Sequence, residues 1–209
     1  LSLMNIPIVR KRSIMRTRVF SVSLSLSLLT GALCSSLMAQ LQTTQIGGGA
    51  LDTITDNGGG SFTVVGGGND IWDVSDEFTF HYIPVTGDFD VRAKVESLEL
   101  VARWSKAGLM VRESVAGDSR MAFSKVTGYG TFAGGSCGSQ DGAADVSFMY
   151  RTWIAPGPCP VPPTGNCNGG QHEDRLVADP GYPAYPWIRL QRVGSSMRGY
   201  ASADGVTWQ

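Results

Sequence analysis

The chain has 209 residues, with 17 Lys+Arg against 18 Asp+Glu, 42% hydrophobic residues and 27 glycines. Five of the 17 basic residues and none of the 18 acidic ones lie in the first 39 positions, so the remainder carries 12 against 18, a formal charge of −6. That balance disfavours nucleic acid and anionic membrane as partners, since both need a positive face, and the length suits one domain with a proper core.

Residues 1–39 read as an export leader. Arg10, Lys11, Arg12, Arg16 and Arg18 make a basic lead, residues 19–33 are apolar apart from Ser, Thr and Gly, and cleavage is expected after Ala39, with Met15 a candidate true start. The apolar run is shorter than the ~20 residues of a spanning helix, so the mature domain is expected to be secreted, extracellular or periplasmic, without membrane insertion. Cys34 leaves with the leader, and Cys137, Cys159 and Cys167 remain. An oxidising compartment allows one disulfide. Cys159 and Cys167, which bracket PVPPTGN, are the preferred pair, with the other two pairings open; zinc with His172 fits no trusted spacing.

Residues 40–60 are a polar lead-in with a first short strand. Residues 62–65 form a strand that GGGND ends. Residues 77–83 set Phe78, Phe80 and Tyr82 against Glu77, Thr79 and His81. Residues 89–95 alternate Phe89, Val91, Ala93 and Val95 with Asp90, Arg92 and Lys94, a strand with one dry and one wet face. Ala107, Leu109 and Val111 alternate with Gly108, Met110 and Arg112. Residues 121–126 and 147–151 are further strands, and the Gly-rich stretch between them is a loop with one short strand. Residues 154–186 hold most of the prolines and read as a long surface insertion. Residues 187–193 and 197–202 form a hairpin across GSS, and 206–208 begin another strand, so more sheet is expected beyond Gln209. No segment of twelve or more residues has a helical period. Residues 40–209 are therefore expected to be one all-β domain, an antiparallel jelly-roll-like β-sandwich of two packed sheets.

The phrases GGGNDIWDVSDEFTFHY, GDFDVRAKVES, WSKAGLMVRES and PWIRLQRVGSSMRGYASADGVTW occur in that order. Together they resemble the concanavalin A-like lectin/glucanase superfamily, and within it the laminin-G-like β-sandwich modules of secreted bacterial proteins. The resemblance implies the sandwich but no activity, because this fold hosts both enzymes and binders. Glucanases of the superfamily carry E-x-D-x-x-E on a strand, and this chain has no such motif. Glu96 and Glu99 fall on opposite strand faces. Asp88 and Asp90 share the wet face with Arg92 and Lys94, as a solvated surface would.

Neither histidine sits in a triad pattern; His81 and His172 read as surface residues. Asn69, Asp70, Asp73 and Asp76 lie within eight residues beside GGG and could form a structural calcium site. SADGVTW is one residue short of a sialidase-type Asp box and reads as a hairpin turn with Trp208 in the core. Trp72 and Trp104, in turn regions, and Tyr182 and Tyr185, on a Pro-stiffened loop, are candidate sugar platforms. The expected function is non-catalytic binding of a glycan or another extracellular surface, beside neighbouring domains in a longer chain. The alternatives are a glycoside hydrolase or lyase, and a structural or adhesion spacer.

Overall fold

The computed structural model describes residues 2–5, 8–9, 21–25, 41–48, 53–102, 104–128, 130–132, 135–137, 145–152, 171–177 and 181–209. Its strands in chain order are β1 (Ser2–Asn5), β2 (Ile8–Val9), β3 (Ser21–Ser25), β4 (Gln42–Ile46), β5 (Ile54–Gly58), β6 (Ser61–Val64), β7 (Phe78–Val85) and β8 (Phe89–Val95). Then come β9 (Lys106–Arg112), β10 (Met121–Thr127), β11 (Gly130–Phe132), β12 (Gly135–Cys137), β13 (Val146–Arg151), β14 (Gln171–Val177), β15 (Trp187–Val193) and β16 (Ser196–Ser202). No helix among the described residues is long and apolar enough to cross a membrane.

The chain is an all-β sandwich of antiparallel sheets. The larger sheet runs β4, β7, then β1 and β2, then β9, β10, β13 and β14. The second runs β16, β15, β8, β3, β6 and β5, and β11 pairs only with β12. The core between the sheets takes Ala107, Leu109 and Val111 from β9, Ala122 and Val126 from β10, and Val146 from β13. Opposite them lie Phe62, Val91, Ala93, Val95, Ile188, Leu190 and Ala201. These are the apolar halves of the alternating strands, so each strand turns its hydrophobic side to the other sheet.

The expectation of one wet face holds for β8 and fails for β9 and β10, whose residues are buried on both sides. A second apolar layer coats the outer face of the larger sheet: Ile46, Phe78, Phe80, Met110, Phe123 and Met149, with Ile71 of the 66–77 loop laid across them. The Phe78–Phe80–Tyr82 row packs edge-to-face and then stacked, at 5.6 and 5.0 Å. The loop reaches the sheet through Gly68, at φ +155°, where a Cβ would fall on the Glu77 carbonyl. The polar side of β7, which faces the other way from the Phe78–Phe80 row, is buried as well. His81 is buried, not at the surface, and its Nδ1 hydrogen-bonds the Thr43 hydroxyl at 2.9 Å.

Two further differences concern segments whose composition suggested something else. The insertion at 154–186 contains β14, which pairs with β13 across residues 171–177, a stretch without proline. Residues 1–39, read from the sequence as a leader, contain β1, β2 and β3. The first two lie between β7 and β9, and β3 lies between β6 and β8. Ser21, Ser23 and Ser25 alternate with Val22 and Leu24, a period-two pattern that suits a strand as well as an export signal.

Candidate functional site

Trp72 and Trp104 are exposed, at 39% and 44%. Their loops are joined by the ion pair between Asp70 and the buried Lys106, at 2.5 Å. Burial pulls Lys106 below the ordinary lysine range, and Asp70 opposes that shift. Tyr182 is buried instead of presented, its hydroxyl pushed up to about 12 mainly by desolvation. Tyr185 packs half-buried against the core.

The four residues considered for calcium are not gathered. Asp70 accepts from Lys106, whereas Asp76 is buried between two guanidiniums: Arg112 at 2.5 Å and Arg151 at 2.7 and 2.9 Å. Asp73 turns its carbonyl to Arg151 at 3.0 Å. Asn69 is exposed. No group of three or more His, Cys, Asp or Glu placed to hold a metal occurs among the described residues. Cys159 and Cys167 lie outside the described residues.

The Arg112–Asp76–Arg151 triad is tied into the backbone. Arg112 donates to the Ala116 and Gly117 carbonyls at 2.6 and 3.1 Å, and Arg151 to those of Gly117 and Ser119 at 3.2 and 3.1 Å. These bonds fix the ends of β9, β10 and β13 against the 73–76 turn. Burial holds Arg112 below its ordinary value, with Asp76 opposing.

Beside this lock the two sheets splay into a cleft of about 650 Å³. Its walls come from the end of β9, the start of β10, β13 and the β15–β16 turn. That volume falls in the range of sites that enclose a small organic ligand, about 300–1,000 Å³. Phe148 and Tyr150, 5.6 Å apart, stand on one wall, and Tyr150 is stacked on His172, which does not line the cleft, at 5.2 Å. The arrangement follows from alternation. Phe148 and Tyr150 point between the sheets, and the register sets His172 beside Tyr150. Phe148 presses on β16 at Gly199, where a Cβ would lie 2.5 Å from the ring, so only glycine lets the sheets approach there. Burial, and then the charge of Asp174, push the Tyr150 hydroxyl above its ordinary value. At the mouth, Arg120 pairs with Glu113 at 2.8 Å, and Arg192 donates to the Gly194 carbonyl at 3.0 Å.

No family model, curated protein or solved structure matches the chain. The cleft therefore rests on its own geometry. None of the residues that line it was a site candidate from the sequence, and His172, stacked beside Tyr150, read only as a surface residue. The signal for the pair was present in Phe148 and Tyr150 at alternate positions; placing His172 required knowing that β14 exists.

The opposite face of the molecule carries the charged side of β8. Asp90 accepts from both arms of Arg189, with Nε at 2.7 Å, and from Gln191 at 3.2 Å. The hydrogen bonds of Arg189 depress the Asp90 carboxyl below its usual range. Trp208 is not in the core: Arg92 and Arg189 lie 5.5 and 5.8 Å from its ring on this outer face. The SADGVTW turn is closed by Asp204, which accepts from the Thr207 and Val206 amides at 2.8 Å each and from the Ser202 hydroxyl at 2.9 Å. These bonds, the Thr207 amide foremost, bring Asp204 down to about 2. A depressed carboxylate supports its turn above the ordinary range and releases it as pH falls through the folded value. An acid titration followed by NMR is expected to move the Val206 and Thr207 amides with a midpoint near 2. A midpoint at the ordinary aspartate value of about 3.9 would show that these bonds do not hold the turn.

Proposed function

We propose that this chain is an exported, non-catalytic β-sandwich module of laminin-G-like type that binds carbohydrate in the cleft between its sheets. The observation that carries this reading is the Phe148–Tyr150 pair along one wall of a ligand-sized cavity, with His172 stacked beside Tyr150. Pyranose rings present C–H faces that pack on aromatic planes, while their hydroxyls need polar partners at the rim, and Arg120, Glu113 and Arg192 supply these. Export follows from the basic and apolar lead of residues 1–39.

The hydrolase alternative fares poorly in this cleft. Its exposed carboxylates are Glu113 and Asp174. Asp174 pairs with Phe148, Phe148 with Ser124, and Ser124 with Leu109, four residues before Glu113. Three strand spacings across and four residues along come to roughly 14 and 13 Å, or roughly 20 Å in all. A glycosidase pair works at about 5 to 10 Å.

The full chain is expected to bind at least one oligosaccharide on a glycan array. Tyr150→Ala should weaken that binding about ten-fold, roughly 1.4 kcal/mol, a loss in keeping with removal of one stacking plane. Tyr200→Ala, on the far face of the second sheet, should leave it unchanged. A folded protein that retains no glycan on the array would sink the reading.

A further inference from the structure

Away from the cleft, on the outer face of the larger sheet, Lys125 is a buried primary amine set against two carboxylates. Its side chain is 2% exposed, and those of Asp145 and Glu173 are 5% and 25% exposed. Its Nζ lies 2.8 Å from Glu173 Oε1, 2.9 Å from the Thr127 hydroxyl and 3.5 Å from Asp145 Oδ1. The strand register gathers the three. Lys125 of β10 pairs with Ser147 of β13, whose hydroxyl donates to Glu173 Oε1 of β14 at 2.7 Å, and Asp145 directly precedes β13. On the other oxygen of Asp145, Arg175 Nε donates to Oδ2 at 3.3 Å. Lys106, a second buried ammonium, opposes the charge of Lys125. Desolvation pushes the Glu173 carboxyl up, but the Lys125 charge and the bonds from Lys125 and Ser147 bring it below its ordinary value. Glu173 is therefore a carboxylate in hydrogen-bond contact with the amine.

We propose that Lys125 and Asp145 join in a self-formed amide, with Glu173 as the proton carrier: Lys125 Nζ bonds to Asp145 Cγ, and one oxygen of that carboxyl leaves as water. Glu173 takes a proton from the ammonium. The freed lone pair attacks Cγ, one bond beyond the oxygen that Nζ already faces. Negative charge gathers on Oδ2, where the Arg175 guanidinium stands, and a fixed donor at that place stabilises an oxyanion. Oδ1 leaves as water with two of the three ammonium protons, one of them handed on by Glu173, and the third stays on the amide nitrogen. The charges of ammonium and carboxylate cancel, and Glu173 ends as it began. Groups held about 3–3.5 Å apart react as if at very high concentration, which offsets the slowness of the step in water. The neutral amide also relieves the desolvation cost of two buried charges. The bond spans 20 positions, so it closes the Gly-rich stretch between β10 and β13 into a ring and restricts the unfolded chain as a disulfide does.

Mass spectrometry of a tryptic digest reads the bond directly. The full chain is first shown to melt cooperatively, then denatured, reduced and digested. Trypsin cuts after Arg120 and Arg151 but not after an acylated Lys125. Residues 121–151 should therefore appear as one peptide, lighter than its sequence mass by one water, and fragmentation should place the link between Lys125 and Asp145. Lys125→Arg keeps the positive charge and cannot form the amide, so its two peptides should appear at full sequence mass. Glu173→Gln should leave the unlinked peptides dominant in freshly folded protein, since loss of a proton carrier slows such a step on the order of a hundred-fold. Asp145→Asn should lose ammonia in place of water and give the same linked peptide as the parent, which an ion pair alone cannot do. Peptides 121–125 and 126–151 at full sequence mass from the folded parent chain overturn the proposal. A link from Lys125 to Glu173 overturns the assignment of their roles.

Discussion

Asp76→Ala is expected to cost the fold about 3–5 kcal/mol, the loss that follows when one partner of a buried ion pair is removed and its counter-charge stays behind. Here two counter-charges stay behind. Arg112 and Arg151 have fully buried side chains, and both would keep their guanidiniums in an apolar layer beside Phe78 and Met110. The backbone carbonyls of Ala116, Gly117 and Ser119 hold those guanidiniums in place, so they cannot swing out to water without dismantling the turn that joins β9 and β10. For a domain of this size, each kcal/mol moves the melting temperature by roughly 2–4 °C, which puts the expected drop on the order of 10 °C. Asp76→Asn keeps the shape and removes the charge, and should recover only a small part of the loss. Glu113→Ala breaks an exposed pair with Arg120 and should change stability by no more than about 1 kcal/mol. Thermal and urea melts of the three variants decide the matter. An Asp76→Ala melt within two or three degrees of the parent, by about the same factor as Glu113→Ala, would mean that the triad is not what holds the end of the sandwich.

The triad also shows which parts of the structure could be read in the sequence. Alternation placed β7, β8, β9, β10, β13, β15 and β16, because a period of two is a local signal and each of these strands has at least one apolar side facing the core. It could not say that the larger sheet has a second dry face. Lys106, Arg112, Lys125 and Arg151 look like the wet side of their strands, and they are buried because ion partners come from distant loops and strands: Asp70, Asp76, Asp145 and Glu173. Asp76 therefore looked like a calcium ligand among its sequence neighbours, while its real partners are 36 and 75 residues away. Trp208 was misplaced for a related reason. Its turn reads correctly, but the face on which the ring comes to rest depends on Arg92 and Arg189 from two other strands. Within the cleft, the strand that carries Phe148 and Tyr150 was legible, but not the face on which they stand. His172 was hidden in a segment whose prolines dominate its composition although none falls in 171–177.

Removal of residues 1–39 is expected to abolish cooperative folding of the remaining chain. The leader reading makes this segment dispensable, and the strand pairing makes it central. Leu3, Met4 and Asn5 face Pro84, Ile83 and Tyr82 of β7 on one side and Arg112, Val111 and Met110 of β9 on the other. Val22 to Ser25 face Val95 to Arg92 of β8, while Ser21 to Ser23 face Thr63 to Ser61 of β6. Without these strands the larger sheet parts between β7 and β9 and the second between β8 and β6, since no other pairing bridges either gap among the described residues. Each buried backbone group left unpaired costs about 1–3 kcal/mol, and a domain has only about 5–15 kcal/mol to lose, so a handful of such groups exhausts it. The four exposed edges would also template pairing between chains. A chain beginning at residue 40 should therefore aggregate, or melt without a transition, whereas the full chain melts cooperatively as a monomer. The same pairing implies that the folded protein recovered from its native source still carries β1 to β3, which N-terminal sequencing reads directly. If the chain from residue 40 is instead monomeric and melts as the full chain does, the segment is a leader alone, and the sandwich closes both gaps without it.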